Sequence, residues 1–189
     1  METVSLAAAG WSAGINAYLT VLVLAIAGRA GWADTPDSLQ RPWVIAGAAV
    51  LFSIEFVVDK VPLVDSAWDV AHTLIRPTIG AALGTAIAGA DLGDWQAALL
   101  AGSLALSGHA AKATTRLAVN FSPEPASNIG LSFAEDGVVT GLVVLAITNP
   151  RLAAVLAIVA TVVSIVLVIV LVKVARRGWR RLRARLGRR

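Results

Sequence analysis

The chain has no cysteine, one tyrosine, one methionine and two histidines in 189 residues. Without cysteine it has no disulfides and no thiolate metal ligands, and its redox compartment is not written in the sequence. The histidines, His72 and His109, stand far apart and match no zinc spacing such as HExxH. There is no phosphate-binding Gly-Lys-Ser/Thr loop, no dinucleotide fingerprint and no GxSxG elbow. The chain therefore reads as a non-enzyme, with no catalytic residue and no cofactor assigned and any metal ligation unknown. Charge is also scarce, at 15% of residues against 57% apolar. A core of this length buries only part of that apolar surface, so lipid must cover the rest.

Charge is distributed unevenly. Lys173 to Arg189 hold nine basic residues and no acid, which leaves seven bases against twelve acids in the remainder, a net of −5 beneath the formal +4. The tail follows an uncharged apolar run, so anionic lipid is its expected partner rather than nucleic acid. The start, METVSLAAAG, lacks a basic region before its apolar stretch, and the reading is a retained helix rather than a cleaved signal.

Six hydrophobic segments follow. Val4–Ala27 carries a polar interruption at Trp11, Ser12, Gly14 and Asn16. Trp43–Val58 is short and meets Glu55 and Asp59. Pro77 is expected to open the next, with Gly80, Gly84 and Ala88 as a small-residue stripe for close packing. Trp95–Leu106 runs into SGHAAKATTR. Ile129–Ile147 is interrupted by Glu135 and Asp136 and closed by Asn149-Pro150. Leu152–Val172 is uncharged and reaches roughly 30 Å as a helix, a bilayer core. Loosely matching halves suggest an inverted-repeat plan with short or broken helices.

The polar motifs lie within this oily background, where ionisable groups are costly and mark function. In EFVVDKVPLVDSAWDVAHTLIRP, residues 55 to 77, Glu55 and Asp59 are four apart. Asp65, Asp69, His72 and Arg76 recur at four, three and four, making one helix face. These carboxylates fit cation binding or proton relay, with Lys60 or Arg76 as an internal counter-ion. The bland alternative is an amphipathic helix on the lipid surface with solvated charges. His109, Lys112 and Arg116 form a basic face that pairs with the acidic one or grips an anionic headgroup. Pairing is the cheaper reading, since an unpaired buried ion costs several kcal/mol. Glu124 sits between two prolines, in a membrane break or a surface loop. Ser132, Glu135 and Asp136 share a helix edge. Trp179, Leu182 and Leu186, with arginines between, read as an interfacial anchor.

SAGINAYLT (12–20), the 55–77 motif and SPEPASNIGLSFAED (122–136) resemble a bacterial integral-membrane family designated a domain of unknown function. The resemblance covers about residues 5 to 150. It implies a small polytopic inner-membrane protein and carries no activity with it. Its motif positions here are Asn16, Glu55, Asp59, Lys60, Asp65, Asp69, Arg76, Glu124, Asn128, Glu135 and Asp136.

The resulting expectation is an all-α polytopic transmembrane bundle of about six hydrophobic segments. Residues 1–172 form one membrane domain, with halves 1–90 and 95–172, and residues 173–189 form a basic cytoplasmic tail. The expected place is the bacterial inner membrane with both termini cytoplasmic, as a homo-oligomer. The expected function is a small transporter or channel for a cation or proton-coupled solute. Asn16, Glu55, Asp59, Asp65, Asp69, Glu124, Asn128, Glu135 and Asp136 would bind the solute or ion. Lys60, His72, Arg76, His109, Lys112 and Arg116 would balance charge or hold an anion. A lipid-handling protein and a non-transporting scaffold are the alternatives, with an intramembrane enzyme a distant fourth.

Overall fold

The computed structural model describes residues 3–88, 92–120 and 125–186. Among them there are seven helices and no strand: α1 (Thr3–Ile15), α2 (Ala17–Arg29), α3 (Pro42–Val58), α4 (Val64–Ile87), α5 (Asp94–Asn120), α6 (Pro125–Thr148) and α7 (Pro150–Leu186). Two of them, over 126–148 and 150–180, are long and apolar enough to cross a membrane by length and composition.

Toward the Lys60 end the helices are polar inside and apolar outside, while Leu6, Leu24, Leu83, Ile87, Val139 and Val143 belong to an apolar core. In α4 the inward face is Asp65, Asp69, His72 and Arg76, while Val70 and Leu74 are 76% and 78% exposed. In α5 the inward face includes His109, Lys112 and Arg116, while Leu99, Leu106 and Leu117 lie outside. Water would drive the reverse arrangement. A surface helix with solvated charges is excluded for α4, because its four ionisable groups are all buried.

Small residues let the central helices approach closely. A Cβ on Gly84 would lie 2.5 Å from the Ala97 carbonyl oxygen, and one on Gly108 would lie 2.6 Å from that of Trp11. Gly80 packs on Ala101 and Ala105, so Gly80 and Gly84 of the expected stripe face α5, and Ala88 is buried. Here α4 and α5 run antiparallel. Gly10 meets Ala101 and Gly14 meets Ala105, so α1 runs parallel to α5. The helix α1 fills the middle of the bundle, with Leu6, Ala8 and Ala13 fully buried.

The first hydrophobic segment doubles back at Asn16, which leaves helical geometry at φ −145°, ψ 99° and caps α2 by accepting from the Leu19 amide at 3.0 Å. At the far end of α2, Arg29 donates to the Gln40 carbonyl, and Ile26 and Arg29 line one cleft with Pro42 and Ile45. From Pro42, α3 then runs to Asp59 and Lys60, so the Arg29 turn lies at the end of the bundle opposite Lys60. The start of α1 lies at that same end. The basic stretch of α7 lies at the Lys60 end, where 171–180 flank Thr114, Leu117 and Ala118 of α5. The start of α1 and the basic stretch of α7 therefore lie at opposite ends of the bundle. A single extended residue reverses the chain, so α1 and α2 form an antiparallel pair.

Two boundaries also differ from expectation. Pro77 lies inside α4, and the basic tail continues α7 as helix through Leu186. Hydrophobic periodicity alone ended these segments where charge began. Buried pairing carries α4 through its charges, and α7 is apolar around its whole circumference before them. A helix break of the same kind lies in the second half, at Asn149 between α6 and α7, whose side chain accepts from the Leu152 amide at 3.2 Å.

Candidate functional site

The ionisable groups of four helices meet near the Lys60 end. The last turn of α3 supplies Glu55, with Asp59 as its C-cap, and α4 supplies Asp65, Asp69, His72 and Arg76. From α5 come His109, Lys112, Arg116 and Asn120, and from α6 come Asn128, Ser132, Glu135 and Asp136. Arg76 donates to Glu55 at 2.7 Å and to Asp69 at 2.8 Å, and Lys112 to Glu55 at 3.0 Å and Asp59 at 2.6 Å. Arg116 pairs with Glu135, with Asp59 at 3.4 Å and with Asp65 at 3.4 Å. The acidic face of α4 and the basic face of α5 are thus paired. The helical spacings of three and four made this possible by stacking each set on one side.

Hydrogen bonds extend the network. Asn120 donates to Asp65 at 2.8 Å and accepts from Asn128 at 3.2 Å. Asn16, at the helix break, donates to Asp136 at 3.1 Å. Lys60 donates to Ser132 and to the Phe56 carbonyl. Glu124 lies outside the described residues. Every other expected site residue belongs to this one assembly.

Both histidines have their tautomers fixed by their partners. An arginine only donates, so His109 Nδ1, 2.9 Å from Arg76, accepts, and its Nε2 carries the proton toward Thr73 Oγ1 at 3.3 Å. His72 Nδ1 faces the Trp68 carbonyl at 2.8 Å and must donate, which leaves Nε2 to accept from the Tyr18 hydroxyl at 2.8 Å. Tyr18, Thr73 and Asn120 were not among the expected site residues. The signal for Tyr18 was present: a phenol in an apolar run needs a buried partner for its hydroxyl.

The charges do not cancel. Glu55, Asp59, Asp65, Asp69, Glu135 and Asp136 are six carboxylates, against Lys60, Arg76, Lys112 and Arg116 as four cations. Glu55, Arg76 and Arg116 are 0% exposed and Lys112 is 2% exposed. Glu55 Oε2, Asp59 Oδ1, Asp69 Oδ2 and Asp136 Oδ2 are buried without a hydrogen-bond partner. Among the described residues no group of three or more carboxylates or imidazoles is arranged to hold a metal ion.

An ion network enclosed by helices with apolar outer faces, beside an apolar core, defines the class: a helical bundle with a buried ionic site. The chain belongs to the family described as Domain of unknown function (DUF4126), whose model matches residues 4–171. No curated protein and no solved structure matches the chain.

Proposed function

We propose that this is an integral membrane protein whose buried network binds and passes protons or a small cation, as a transporter or channel. The observation that carries the reading is the excess of six carboxylates over four cations in a largely buried network, with four carboxylate oxygens unpartnered. An uncompensated charge in a low-dielectric interior neutralises itself by taking up a proton or a counter-ion. A site with two negative charges to offset is therefore loaded with exchangeable positive charge. Its near-complete burial corresponds to an occluded form, with access gained by movement of the helices around it.

The protein sits in the bacterial inner membrane with the Lys60 end cytoplasmic, because the basic stretch of α7 that begins at Lys173 lies at that end. Anionic lipids line the groove between α5 and α7, whose rim carries Arg176, Trp179 and Arg180. A homo-oligomer suits a bundle with so little interior space for a pathway. Lipid handling is disfavoured, because Lys112 and Arg116 point into the bundle and are held by carboxylates instead of facing a lipid opening. A scaffold is the second reading, favoured by the density of ion pairs. The test is flux of protons, sodium and potassium into liposomes containing the purified protein, beside translocation of headgroup-labelled lipid in the same preparation. Ion flux above empty liposomes supports the proposal. Lipid movement alone supports headgroup handling, and neither supports the scaffold.

A further inference from the structure

Lys60 is the one cation of the network that, among the described residues, makes no ion pair. Its ammonium lies 3.0 Å from the centre of the Phe56 ring and 4.6 Å from that of Phe133. The rings meet edge to face at 5.7 Å. The same nitrogen donates to the Phe56 carbonyl at 2.8 Å and to Ser132 Oγ, in a fully buried serine, at 3.2 Å. The charges of Asp136 and Asp59 act on it, opposed by that of Arg116, and each carboxylate has a buried oxygen without a hydrogen-bond partner. Two ring faces, a carbonyl, a hydroxyl and nearby negative charge make a receptor for a compact ammonium. A hard metal ion needs a fuller shell of oxygens. The lysine is carried on the short link between α3 and α4, whose last residue, Leu63, sits at φ 71°, a strained position for a side chain-bearing residue.

We propose that Phe56, Phe133 and Ser132 form a binding site for ammonium or a small primary alkylammonium, filled in this conformation by the tethered ammonium of Lys60. The strained link lets Lys60 withdraw, and a free cation takes its place beside Asp136 and Asp59. This deepens the ion-pathway reading by naming the cation class, and it rests on that reading only for the site's place in a pathway.

Binding is tested without flux. Thermal unfolding of Lys60→Ala in detergent is compared in ethylammonium chloride and in sodium chloride at equal ionic strength. Ethylammonium should raise the midpoint selectively in Lys60→Ala, and neither in the wild type nor in Lys60→Ala/Phe133→Ala. An equal response in the wild type, no selective response in Lys60→Ala, or a response surviving removal of Phe133 overturns the site. If Lys60→Ala fails to fold, Lys60→Cys serves instead, since the chain has no other thiol. The cationic aminoethyl methanethiosulfonate should react with the thiol of the Lys60→Cys variant about tenfold faster than the neutral methyl reagent, the size of a partly desolvated cation–π contact, and ethylammonium should slow it. Equal rates for the two reagents overturn the proposal. Flux without ethylammonium selectivity removes this site and leaves the pathway, whereas selectivity without flux does the opposite.

Discussion

Arg76 and Glu55, 21 residues apart in sequence, meet at 2.7 Å with both side chains wholly buried. The same guanidinium also holds Asp69 and donates to His109, so one side chain ties α3, α4 and α5 together. Removing the cation leaves carboxylates buried without it, whereas neutralising Glu55 leaves an amide oxygen that still accepts. Arg76→Met should therefore cost about 3–5 kcal/mol, and Glu55→Gln about 1 kcal/mol. Denaturant unfolding in lipid–detergent micelles measures both. Equal costs would show that the guanidinium is not the hub.

The glycines of the helix interfaces give a second prediction. A Cβ at Gly14 would collide with the Ala105 carbonyl oxygen, and one at Gly84 would crowd Ala97. Gly137 has open space around it. Gly14→Ala and Gly84→Ala should each cost about 1–3 kcal/mol by forcing backbones apart. Gly137→Ala should be neutral or gain up to about 1 kcal/mol of helix propensity. The same unfolding measurement separates the two groups.

Asn16 combines two jobs, capping α2 and holding Asp136. Asn16→Ala should lose about 1–2 kcal/mol. Asn16→Ser keeps an oxygen for the cap and gives up the reach to Asp136, and should fall between the wild type and Asn16→Ala. Unfolding midpoints rank the three. A serine variant no better than the alanine variant would assign the whole effect to Asp136.

The reversal at Asn16 predicts opposite sides for the termini. An epitope at residue 1 and a cysteine replacing Asp37 should both be reached from the periplasm in spheroplasts. A cysteine replacing Gly178 should be labelled only after the membrane is opened. An N-terminal epitope that stays protected while position 37 is labelled would restore a straight first crossing.

Much of the site was legible because membrane helices stack charges at spacings of three and four. Asp65 to Arg76 and His109 to Arg116 could be paired from sequence because leaving either face alone is so costly. The course of the first segment was not legible. The run around Ser12, Gly14 and Asn16 shows a polar interruption, but whether the chain kinks or reverses depends on one residue's ψ and on α1 fitting between Gly-lined neighbours. Pro77 misled because its usual place opens a helix, whereas here α4 has begun at Val64. The seat of Lys60 between Phe56 and Phe133 joins α3, its link and α6, a tertiary meeting that no local spacing encodes.

The central claim is that the carboxylate excess binds and passes positive charge. Its most direct test is cation- and pH-driven flux in liposomes for the wild type, Glu55→Gln, Asp59→Asn and the neutral control Gly137→Ala, at matched amounts of folded protein. The account predicts flux in the wild type and in Gly137→Ala, its loss in Glu55→Gln, and its loss or uncoupling from pH in Asp59→Asn. Unaltered flux in both carboxylate variants, or none in the wild type under any gradient, would contradict it.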